Sequence, residues 1–169
     1  MPLTSVISAT ARWLVAAYPA DGGAFGQALA LTQARQAATV ASWLRYPTVV
    51  DAHLVQLVGP GGSAGLDLAT DALFTDEVWR TWVDEVVASW AACLLSEPAL
   101  AERAVLAAGE TEHASLLRCD FQRLIRPDQH DHLATALLRH RDLVEPVARI
   151  HRASLMQRLS GDSRTTVLS

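Results

Sequence analysis

Apolar residues in this chain recur at three- and four-residue steps, and the recurrence stops wherever a proline or a run of glycines falls. That period is the signature of one helical face turned to a core, and it predicts an all-α chain. A first helix is expected over about 4–17, with Val6, Ile7, Trp13, Leu14 and Ala17 forming its stripe. Tyr18 stands before Pro19, which disfavours helix there, and Asp21-Gly22-Gly23 supplies the turn. A second helix, about 24–45, carries Phe25, Ala28, Leu29, Val40, Trp43 and Leu44 inward and stops at Tyr46-Pro47.

Pro47 can open a third helix, because its missing N–H is not needed in the first turn. Residues 48–58 are β-branched enough to suggest a strand, but Val50, Leu54, Leu57 and Val58 share a helical face and are expected to be buried. Gly59-Pro60-Gly61-Gly62 then breaks the chain. A short helix is expected to end near Phe74. Thr75 is the expected N-cap of the next, with Asp76 and Glu77 favouring its positive end. Trp79, Trp82, Val83, Val86, Trp90 and Leu94 line that helix at helical spacing. Trp79, Trp82 and Trp90 read first as core, and otherwise as the wall of a small apolar-ligand pocket.

Pro98 restarts a helix expected to reach Ala108, where Gly109 either caps it or marks a kink, and helix is expected to resume through Arg126. After Pro127, Asp128 caps a long final helix to about Leu159, bent at Pro146. The expected architecture is a single-domain bundle of six to eight helices over residues 1–160, its last two long helices antiparallel about Pro127. Residues 161–169 form a polar tail.

Composition narrows the partners. Half of the 169 residues are apolar and 19% are charged, enough for a large core in one domain. The net charge of -4 argues against a duplex-binding surface and predicts no nucleic-acid partner. All fourteen basic residues are Arg. Residues 51–112 hold eleven acids against two Arg, and residues 118–158 hold eight Arg against five acids, an asymmetry that suits contact between subunits or with a partner. Cys93 and Cys119 show no metal-ligand or redox spacing, as expected of reduced thiols in the cytoplasm. Arg12 interrupts the first apolar stretch and no run reaches the length of a membrane span, so neither a signal peptide nor a membrane location is expected.

One arrangement could carry chemistry. In the expected antiparallel pair, His113 lies fourteen residues before Pro127 and His140 thirteen after it, at nearly equal height. With Glu110 one turn before His113, they would present a carboxylate and two imidazoles, a workable shell for Zn²⁺, Fe²⁺ or Mn²⁺. Glu110-Thr111-Glu112-His113 is a Glu-x-x-His that resembles half of a ferritin-like di-iron site. That resemblance implies a second Glu-x-x-His, which the chain lacks, so a mononuclear site is the economical version. The alternative is a hydrogen-bonded polar pair within the core.

No phosphate-binding loop, Gly-x-Ser-x-Gly or activated Cys/His pair occurs. The leading expectation is therefore a binding module that acts through a protein partner, a copy of itself or a small apolar ligand. A metal-dependent enzyme with iron or zinc at Glu110, His113 and His140 is the alternative, and a ligand-sensing domain of a regulator the third reading.

Overall fold

The computed structural model describes residues 3–58 and 83–161. The described residues form ten helices and no strand. Helix α1 (Thr4–Ala17) and helix α2 (Gly23–Arg45) follow the expected bounds closely, but Phe25 and Ala28, expected inward on α2, are exposed in its first turns. Between them Gly22 and Gly23 take φ of 112° and 68°, a left-handed backbone that only glycine adopts without strain. Gly26 is required for another reason: a Cβ there would stand 2.6 Å from the Asp21 carbonyl oxygen.

At 1.5 Å per residue α2 is roughly 33 Å long, and it is the axis of the molecule. Ala30, Ala34, Ala37, Ala38 and Ala41 are fully buried along it, so neighbouring helices approach closely. It packs against α1, α4 (Glu85–Ser96), α5 (Pro98–Ala108), α7 (Gln122–Ile125) and α8 (Gln129–Ala134). Helix α4 is the second axis and packs against α2, α5, α9 (Arg141–Ala148) and α10 (Arg152–Gly161). Every residue of α4 from Val87 to Leu95 is buried, as for a helix enclosed on all sides.

The expected helix over 75–94 is described from Glu85 onward. Asp84 is its N-cap, with Oδ1 accepting from the Val86 and Val87 N–H groups. The Thr75 cap, Trp79 and Trp82 lie outside the described residues, as do the break at 59–62 and most of the tail.

Helix α3 (Val49–Val58) forms where expected. Thr48 and Asp51 close a reciprocal cap: Thr48 N–H donates to Asp51 Oδ2 at 3.2 Å, and Asp51 N–H to Thr48 Oγ1 at 3.1 Å. Its expected inward face is a correction. Val50, Leu54 and Leu57 are 67%, 52% and 82% exposed, and Ala52 is the buried residue of the helix among its described side chains.

The expected long helices after Pro98 are also corrected. The first ends at Ala108 with Gly109 as its C-cap, one of the two expected forms, and in place of the expected resumption through Arg126 come short α6 (Glu112–Leu116) and α7. Thr111 and Leu117 are extended, with ψ of 157° and 123°. Gln36 of α2 holds the connecting loop open, donating from Nε2 to the Asp120 carbonyl at 2.7 Å and accepting from Leu124 N–H at 2.8 Å. The expected final helix is three helices, α8, α9 and α10. Arg139 holds the first break, donating to Gln33 Oε1 at 3.0 Å and the Leu124 carbonyl at 3.2 Å. Gln36 thus supplies partners to backbone groups of the loop, and Arg139 ties the break to α2 and α7.

Candidate functional site

Four elements meet at the C-terminal end of α2, where its last carbonyls have no helical partner. Arg158 Nε donates to the Leu44 carbonyl at 3.3 Å, and Glu112 N–H to the Pro47 carbonyl at 3.1 Å. His113 Nε2 lies 2.7 Å from the Tyr46 carbonyl; since a carbonyl only accepts, that nitrogen carries the proton. The Tyr46 hydroxyl donates in turn to Asp84 Oδ2. Burial pushes the Tyr46 phenol above its ordinary value, and the hydrogen bond to Asp84 pushes it further. His113 is buried and stacks on Trp43 with ring centroids 6.0 Å apart, while Phe121 meets Trp43 edge-on at 5.8 Å.

The residues expected to hold a metal are thus dispersed into different settings. His113 belongs to this junction. Glu110 is exposed in the α5–α6 turn. His140 is exposed at the N-terminus of α9, where its side chain makes no cap hydrogen bond. Their expected meeting depended on two unbroken helices hinged at Pro127, and both are interrupted. Among the described residues no three His, Cys, Asp or Glu side chains are placed to hold a metal ion.

Of the tryptophans expected to wall a pocket, Trp90 is described, and it is buried. Its Nε1 lies 3.1 Å from both the His151 carbonyl and Ser154 Oγ, which ties α4 to α10.

A second polar junction was missed in the sequence, although its signal is there. Glu85, Ser89, Cys93 and Glu97 fall at four-residue steps along the otherwise apolar α4 stretch. Together they receive the break between α9 and α10. Ser89 Oγ donates to the Ala148 carbonyl at 3.1 Å and accepts from His151 N–H at 2.9 Å. Cys93 Sγ lies 3.1 Å from the same carbonyl. His151 Nε2 meets Glu85 Oε1 at 2.9 Å, and Arg152 forks onto Glu97, with Nη2 to Oε2 at 3.0 Å. Burial raises the Cys93 thiol to about 11, against the smaller opposing effect of Arg152. These titratable groups hold the helix break in place.

Helix α3 carries an exposed apolar face. Val50, Leu54 and Leu57 stand at i, i+4 and i+7 on α3 and form one exposed stripe. Where α3 begins, a cleft of about 210 Å³ is lined by Pro47, Thr48, Ala107, Glu110, Thr111, Glu112 and Arg158. Glu112 Oε2 accepts from Val49 N–H at 2.8 Å, which fixes one carboxylate at the entrance of the helix. The expectation of core packing missed this face because periodicity reports that a stripe exists, not what covers it.

No protein family, curated protein or solved structure matches the chain. No described helix is long and apolar enough to cross a membrane.

Proposed function

We propose that this chain is a helical binding module that acts through a protein partner, and that α3 carries the docking face. The observation behind this reading is the exposed Val50, Leu54 and Leu57 stripe on a helix whose N-terminus is firmly capped. A helix presenting i, i+4 and i+7 apolar residues is a common protein-recognition element. The polar groups give independent support: His113, Tyr46, Asp84, Glu85, His151 and Cys93 are all engaged in holding helix ends. They are not gathered around an open cavity.

Comparative capture with three forms of the chain tests the proposal: the wild type, Leu57→Asn on α3, and Leu133→Asn on α8. Leu133 is 69% exposed, so it controls for a general loss of surface hydrophobicity. A partner held by the wild type and by Leu133→Asn, but lost with Leu57→Asn, supports the docking face. A capture profile indifferent to Leu57→Asn overturns it.

A further inference from the structure

We infer that the element received by α3 is a basic amphipathic helix. Its apolar side chains would cover Val50, Leu54 and Leu57, and an Arg or Lys at one end would be seated beside Glu110 and Glu112. The inference rests on the docking reading above and adds the chemistry of the partner.

The cleft lies at the N-terminal end of the helix that carries the stripe, where Glu112 Oε2 accepts from Val49 N–H. Pro47 and Thr48 line the cleft and lead directly into α3, two residues before Val50. Two carboxylates against the single guanidinium of Arg158 leave the lining net acidic. Asp51 adds a third carboxylate at the same end, locked in the cap with Thr48. An approaching chain therefore meets apolar side chains along two turns of helix and negative charge at one end of them.

Electrostatic complementarity of this kind selects a cation and disfavours an acidic segment. It is also directional, because charge at one end fixes which way a bound helix runs. A second copy fits less well. Its own α3 would bring the carboxylates of Asp51 and Glu112 rather than a cation.

The test uses the whole chain and two fluorescent model peptides of about 14 residues with the same apolar pattern, one Leu/Lys and one Leu/Glu. Binding is read by anisotropy at about 0.15 M salt, where long-range attraction is largely screened. The Leu/Lys peptide is expected to bind about tenfold more tightly. Leu57→Asn should weaken both peptides. Glu110→Gln should remove most of the preference, and Asp142→Asn on α9, which makes the same change in net charge, should leave it.

Equal affinity for the two peptides, with Leu57→Asn still damaging, overturns the basic partner while sparing the docking face. Binding of both peptides unchanged by Leu57→Asn overturns both readings. Equal losses in Glu110→Gln and Asp142→Asn reduce the effect to bulk charge and overturn the inference. A doubling of mass by light scattering that Leu57→Asn abolishes places a second copy on the face and overturns it as well.

Discussion

Helices α3 and α4 are both rich in apolar residues and both begin at a side-chain cap, yet they end in opposite environments. α4 is enclosed from Val87 to Leu95, whereas α3 leaves Val50, Leu54 and Leu57 in solvent. The difference lies in what surrounds them. α4 packs against α2, α5, α9 and α10. Among the described contacts, α3 is held by Glu112 Oε2, which accepts from Val49 N–H, and by Ala52 and Val55 against the core. An apolar stripe is therefore a statement about demand, and only the rest of the fold shows whether the demand is met inside the molecule.

The largest expected effect would break this contrast if it failed. Trp90→Ala removes a buried indole from α4 and should cost about 3–5 kcal/mol in urea unfolding. A cost under about 1 kcal/mol would mean that α4 is not the packed axis described here. Next comes Ser89→Ala, which leaves the His151 N–H without its acceptor and the Ala148 carbonyl with Cys93 alone. It should cost about 1–3 kcal/mol, the range for stranding a buried polar group. A neutral result would show that the α9–α10 break is held without Ser89.

Cys93 sharpens the contrast through pH. Its folded pKa is raised from 9.0 to about 11 by burial. Its contribution to stability is fully present below pH 9 and is lost as pH rises from there through about 11, where the unfolded thiol ionises before the folded one. Cys93→Ala should flatten that part of the stability-versus-pH curve relative to wild type. Identical curves would contradict the burial. In a thiol titration of native protein, exposed Cys119 should react and Cys93 should wait for unfolding.

The smallest effect belongs to α3. Leu57→Ala should change stability by no more than about 0.5 kcal/mol, as for an exposed surface position. A loss of about 2 kcal/mol or more would show that the face is covered within the folded chain.

The all-helical character and the boundaries of α1, α2 and α3 were readable from period and punctuation. Pro19 and Pro47 each end a helix at the residue before them, and Gly22-Gly23 supplies a backbone no other residue adopts easily. In the second half Gly109 caps α5, as one of the two expected forms, but the interruptions at 117–121, 135–140 and 149–151 carry no proline or glycine. Around them Gln36 bonds the Asp120 carbonyl and Leu124 N–H, His113 meets the Tyr46 carbonyl, and Arg139 reaches Gln33. Those contacts join residues far apart in the chain, beyond the reach of a local reading. The Glu110, His113 and His140 grouping assumed helical continuity through all these positions, which the described helices do not keep. The four-residue rhythm of Glu85, Ser89, Cys93 and Glu97 was visible but was passed over amid the tryptophans and valines around it.

That rhythm makes α4 a ruler as well as a support. Side chains at i and i+4 stay aligned only while the residue count between them is kept, because each added residue turns the helix by about 100°. Single substitutions at Glu85, Ser89, Cys93 or Glu97 remove one graduation and leave the others in register. One residue inserted near Ala91 would swing Glu85 and Ser89 away from Cys93 and Glu97, and the helix break could then be gripped from one end only. The length of this segment is fixed more strictly than its composition, so the chain can vary here by exchange far more readily than by insertion or deletion.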